Sequence, residues 1–127
     1  RVYLFGSAAM GLCLADADVD LACDAVEGPQ WRGVHAQDRR REQRAFLREA
    51  LATLGEYGPL AVVKDARVPV LRKFGAPQGG ALNWDLSCRM IGVANAQVIR
   101  QYVDAYPVVR PLCVLLKDWA KVTKVIN

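Results

Sequence analysis

Asp18-Val19-Asp20-Leu21 sets two carboxylates two residues apart in a β-prone run. Strand side chains at i and i+2 share a face, so both acids point one way while Val19 and Leu21 point into a core. Ahead of them, Phe5-Gly6-Ser7-Ala8-Ala9-Met10-Gly11 runs from an apolar stretch into a turn of small residues. Such a turn offers backbone N–H groups and a hydroxyl where a helix can start, which is a ready place for a phosphate. Two hard oxygen ligands beside a phosphate cradle are what a magnesium-bound nucleotide needs. A polar strand face in an ordinary α/β domain is the competing reading, and the Gly6-Ser7 turn weighs against it. Farther on, Asn83, Asp85 and Ser87 alternate with Leu82, Trp84, Leu86 and Cys88. Asp85 therefore lies on a polar strand face, and a sheet that brings it beside Asp18 and Asp20 completes a carboxylate triad. Lys117 and Lys121 stand four apart, on one face of a helix.

The elements that must position these groups follow from periodicity. Arg1–Phe5 reads as a strand, Gly6 to Gly11 as a turn and a short helical turn, and Asp18–Cys23 as a second strand. Val26–Ala36, with Gly28-Pro29 and Gly33, has no period and reads as a loop, anchored by Trp31 and holding His35 without chemistry. Asp38 to Leu54 is a helix: Asp38 is its N-cap, Phe46, Leu47, Ala50, Leu51 and Leu54 form one face, and Gly55 stops it. Arg39, Arg40, Arg41, Arg44 and Arg48 crowd its outer surface, a solvated face by default and an RNA-backbone contact by the alternative. Leu60–Lys64 and Val68–Phe74 are β-rich, the second an edge strand on account of Pro69. Gly75–Gly80 is a turn and Ala81–Cys88 the next strand. Asn95 caps a helix reaching Val103, and Pro107 opens another from Val108 to Val122 with a buried stripe of Leu112, Leu115, Leu116, Trp119 and Ala120.

At 127 residues, with 53% hydrophobic content, the chain has material for one domain or for one and part of another. No apolar run approaches the ~18 residues of a membrane span. A formal charge of +4 suits a polyanionic partner without requiring one. Cys13, Cys23, Cys88 and Cys113 are scattered, with no Cys-x-x-Cys and a single histidine, which argues against a zinc site and for a reducing, intracellular compartment. Mitochondrion and cytoplasm remain equal. Arg1 is no natural start, so any signal or transit peptide would have been lost, and localisation is not read from the first residues.

The turn and acids resemble the signature of the DNA polymerase β-like nucleotidyltransferases: a hydrophobic residue, Gly-Ser, a spacer, then acid and hydrophobe twice. Asp18 and Asp20 match it; Asp16, followed by Ala17, comes too early. Four further stretches are similar to one branch, the terminal RNA uridylyltransferases of trypanosome-type parasites and the noncanonical poly(A) polymerases. They are Arg67-Val68-Pro69-Val70-Leu71-Arg72, Asn83-Trp84-Asp85-Leu86-Ser87, Gly92-Val93-Ala94-Asn95, and Leu115-Leu116-Lys117-Asp118-Trp119-Ala120-Lys121. The resemblance implies an α/β (α+β) palm with a mixed sheet flanked by helices over residues 1–92. Residues 93–127 would begin a helical second domain. Ala96 departs from the family's threonine or serine, and the family's base-reading segment would lie beyond Asn127.

By that resemblance an RNA 3′-hydroxyl attacks the α-phosphorus of a nucleoside triphosphate, UTP before ATP, and pyrophosphate leaves. Asp18, Asp20 and Asp85 would hold two Mg²⁺ (or Mn²⁺) ions, with Asp85 also available as general base. Gly6 and Ser7 would cradle phosphates, Lys117 and Lys121 would neutralise them, Asn95 would bind the ribose 2′-OH, and Arg67 would lie near the nucleotide. Partners would be the triphosphate, the RNA 3′ end and a larger RNA-processing complex, with no membrane. The rivals are an ATP-using poly(A) polymerase and a silent RNA-binding or assembly module. A dinucleotide-binding domain fails because the glycine spacing is wrong and acids repel pyrophosphate.

Overall fold

The computed structural model describes residues 1–26, 31–63, 66, 68–75 and 82–125. In chain order the elements are β1 (Val2–Phe5), α1 (Gly6–Met10), β2 (Val19–Cys23), α2 (Ala36–Leu54), β3 (Leu60–Val63), β4 (Val70–Lys73), β5 (Trp84–Ser87), α3 (Ile91–Ala105) and α4 (Val109–Val122). The five strands form one sheet in the order β1-β2-β5-β4-β3. Only β2 and β5 run parallel; the other pairs are antiparallel, so the sheet is mixed as expected.

Alternation divides the sheet's two faces between packing and chemistry. Leu21, Cys23, Leu71, Trp84, Leu86 and Cys88 point to one side, where Leu47, Phe46, Ala50, Leu51 and Leu54 of α2 cover them. Leu47 and Leu71 are wholly buried, and Trp31 packs against this core as the expected loop anchor. On the other side, small residues let helices come close. Ala22 and Ser87 are buried, as are Val93, Ala96 and Val103 of α3. Gly92 has no side chain because the ring of Phe5 occupies that space: a Cβ there would lie 2.7 Å from it.

Several local expectations change. The helix α2 starts at Ala36 after His35, so Asp38 sits in its first turn rather than at the cap, where its charge still suits the helix dipole. β4 is interior, between β5 and β3, not an edge. Pro69 precedes its first residue, so the missing N–H removes no ladder bond. β5 begins at Trp84, leaving Leu82 exposed ahead of it. The arginines of α2 do not form one solvated face. Arg39 and Arg44 are half-buried, and Arg39 Nη2 donates to the carbonyl O of Trp31 at 2.7 Å. α4 shows the largest reversal. Leu112, Leu115, Leu116 and Trp119 are exposed, while Cys113, Val114, Lys117 and Ala120 turn inward. Two neighbouring stripes of that helix are both apolar enough to be buried, and the lysine contacts described below decide which one faces the domain.

Candidate active site

Strand register lines up one residue from each of four strands across the sheet's second face. Phe5 stands opposite Asp20, Asp20 beside Asp85, and Asp85 opposite Arg72. Adjacent strands are ~4.8 Å apart, so the two carboxylates are immediate neighbours. Asp85 is neutralised in place: Arg72 Nε and Nη2 donate to its two oxygens at 2.7 and 2.5 Å. This bidentate guanidinium satisfies both oxygens of a carboxylate with 16% side-chain exposure. Asp85 in turn holds the Arg72 guanidinium above its ordinary value, first through those hydrogen bonds and then through its charge.

Among the described residues Asp20 has no such partner, and its surroundings oppose its charge. Burial pushes its carboxyl above the usual range, and the negative charges of Asp85 and Asp18 push further; Lys117 and Arg72 pull back less. Asp18 is exposed and lies just before β2, whose entry is fixed by the Val19 N–H donating to the Asn83 carbonyl at 2.9 Å. Gly6 leaves the sheet directly over Asp20. Its φ of 65° is left-handed, and a Cβ there would lie 1.9 Å from Asp20 Oδ2. Glycine is therefore required both by conformation and by space. Ser7 follows in the first turn of α1, half-buried, with its carbonyl taken by the Leu12 N–H at 2.9 Å.

The two lysines are brought to this side, though not to one point. Lys117 Nζ donates to the Leu12 carbonyl at 2.8 Å, and its charge reaches Asp20. Lys121 pairs instead with Asp16, whose carboxyl that hydrogen bond holds below the usual range. Together they clamp the loop between α1 and β2, and Asp16 has a tethering job that its sequence position did not announce. Lys117→Ala is accordingly expected to raise the nucleotide KM roughly tenfold, the scale of a lost charged hydrogen bond. Lys121→Ala should move KM far less, because its ion pair is exposed on both sides. Steady-state kinetics with varied nucleotide separates the two; equal shifts would restore a shared anion.

Asn95 corrects another expectation. It is exposed in the second turn of α3, since Ile91 to Ala94 are already helical and Met90 takes the cap position. It is free to serve a ligand and does not cap. Ala96, where a hydroxyl was expected, is 4% exposed and packs. Arg67 lies outside the described residues. Alternation alone does not reveal that Arg72 lies opposite Asp85; its place two residues beyond Val70, on the polar face, is the signal that the sequence carries.

The donor chemistry suits a hard cation in part. Asp18 and Asp20 offer oxygens whose mutual repulsion a divalent charge would relieve. Among the described residues, however, no three acidic, histidine or cysteine side chains converge closely enough to hold a metal ion as placed. The expected triad is short by one, because Asp85 is turned into Arg72.

The same architecture is found in terminal uridylyl transferase 4 from Trypanosoma brucei with bound UPU. The TM-score is 0.79 and the identity 29%, over 97% of this chain and 40% of that one. Fold and acid row together define a nucleotidyltransferase palm. Residues 1–104 match the family described as poly(A) RNA polymerase, mitochondrial-like, central palm domain, and the chain belongs to it. Among curated relatives, terminal uridylyltransferase 1 of Leishmania tarentolae is 37% identical over 62 residues, 49% of this chain and 6% of that protein. Poly(A) RNA polymerase GLD2-B of Xenopus laevis is 30% identical over 121 residues, 94% of this chain and 23% of that protein. The chain thus spans less than a quarter of either relative.

Proposed function

We propose that the protein transfers uridylyl groups from UTP to the 3′-hydroxyl of an RNA. The hydroxyl oxygen bonds to the α-phosphorus, the bond to pyrophosphate breaks, and the hydroxyl proton leaves to solvent or base. The observation that carries this reading is the row Asp20–Asp85–Arg72 beneath the Gly6-Ser7 turn. In it residues 1–92 serve as the catalytic palm and 93–127 open a helical second domain. Gly6 and Ser7 border the phosphates, Lys117 offsets their charge, and Asn95 contacts the ribose. Bound Mg²⁺ or Mn²⁺ would supply charge stabilisation at the attacking and leaving oxygens, held by Asp18 and Asp20, with Asp85 joining by giving up a hydrogen bond to Arg72. The uridylyl choice follows the kinship to terminal uridylyltransferases. Use of ATP is the second reading, favoured by the longer alignment to a poly(A) RNA polymerase. We place the reaction in an intracellular RNA-processing complex, in mitochondrion or cytoplasm.

The test is to incubate the full-length protein with a labelled RNA and each ribonucleotide in turn. Extension with UTP above the others is expected. Extension with ATP alone selects the second reading, and no extension with any nucleotide, despite RNA binding, reduces the palm to a binding module.

A further inference from the structure

Beyond the end of β5 the chain turns into α3, and a cleft of about 850 Å³ opens there between the starts of two helices. Ala36, the first residue of α2, and Ile91, the first of α3, both line it. No side-chain hydrogen bond among the described residues caps either helix start, and helix starts favour negative charge. Arg39 and Arg40 contribute from α2 and Arg89 from the turn before α3. Among the described residues no carboxylate lines the cleft, and apart from Gln43 the rest of its wall is apolar.

One polar side chain of the wall has a buried donor to spare. Arg39 is held by its bond to the Trp31 carbonyl, yet its Nε is buried without a partner among the described residues. Gln43, also in the wall, is 3% exposed. A buried donor of this kind calls for an acceptor that the described residues do not provide. The Arg39 and Arg89 guanidinium groups and two helix starts, with no carboxylate in the wall among the described residues, suit an anion, and the apolar remainder of the wall suits a flat base beside a phosphate.

Position decides which anion. Arg89 follows Asp85 by four residues, no more than about 13 Å of extended chain. An RNA whose 3′ end lay at the acid row would have its preceding nucleotides within reach of this cleft. We propose that the cleft is a second RNA site, taking a backbone phosphate and the adjoining base upstream of the reacting end. It rests on the reading of the protein as an RNA 3′-end enzyme and adds to it where the rest of the substrate is held.

Arg89→Gln in the full-length protein tests this, since Arg89 is exposed and its loss opens no core. Affinity for a labelled RNA of about sixteen nucleotides should fall roughly tenfold. The slope of log affinity against log salt should become shallower by about 0.7, the signature of one lost single-strand phosphate contact. Extension of a dinucleotide primer should not change. Arg41→Gln, on α2 but outside the cleft, should keep the parent's affinity.

An unchanged affinity and slope in Arg89→Gln overturns the site, as does an equal loss with the dinucleotide or in Arg41→Gln. Displacement of the RNA by poly-glutamate from the parent protein but not from Arg89→Gln assigns the cleft to an acidic polypeptide and likewise overturns it. A parent that binds the long RNA through Arg89 yet extends no primer overturns the proposed activity and leaves the cleft standing. A parent that extends primers with affinity indifferent to Arg89 overturns the cleft alone.

Discussion

Asp20→Asn is expected to lower nucleotide addition by ~10³-fold or more, the scale of several kcal/mol of lost charge stabilisation, while making the protein more stable at neutral pH. Both effects come from one carboxylate that burial and its neighbours oppose. Its pKa is raised on folding from an ordinary 3.8, so the folded state binds the proton more tightly than the unfolded chain. Stability must then fall as pH rises from that ordinary value through the raised one, and above the window the charge is a standing cost. Asparagine keeps the shape and removes the charge. Thermal melts without divalent cations should show the variant ahead of the parent at about pH 7 and level with it near about pH 3. Asp16→Ala is the control: it frees Lys121 but should still add nucleotides. An inactive Asp16→Ala beside an active Asp20→Asn would move the site two residues, and an Asp20→Asn less stable at neutral pH would deny the repulsion.

How much of this was legible beforehand depended on whether one period carried the information. Alternation put Asp20 and Asp85 on polar strand faces, and Leu21, Leu86 and Cys88 on the opposite side. Those assignments needed only the strand's repeat of two. Which strands would be neighbours is not written in any one strand. Arg72 became Asp85's partner through an antiparallel pairing across a long connection, and Pro69 seemed to forbid an interior position until its place before β4 made that harmless. In helices the limit was rotation about the axis. α4 offers the stripe Leu112-Leu115-Leu116-Trp119 and the stripe Cys113-Lys117-Ala120, and a hydrophobicity rule chooses the first. Lys117 on the Leu12 carbonyl and Lys121 on Asp16 turn the second inward. Both contacts span 105 residues of sequence, which local patterning does not sense.

Gly6→Ala is expected to disable the site nearly as thoroughly as losing Asp20, and to destabilise the fold as well. Register fixes the cause: Phe5 is opposite Asp20, so the next residue must rise over that carboxylate as the chain leaves the sheet. A left-handed φ of 65° costs an alanine ~1–2 kcal/mol by itself. The added Cβ would also lie 1.9 Å from Oδ2, 2.7 Å from Cγ and 2.9 Å from Cβ of Asp20, so the acid must swing out of the row. The two contributions separate in a double-mutant cycle with Asp20→Ala. Removing Oδ2 and Cγ relieves the two shortest contacts, so Gly6→Ala in that background should lose little more stability than the backbone cost. A coupling of ~0.5–3 kcal/mol is expected from urea melts of the four proteins. Strict additivity would mean that Gly6 is there for its conformation only. It would also mean that the acid keeps its place by other means, and Gly6→Ala would then retain nucleotide addition.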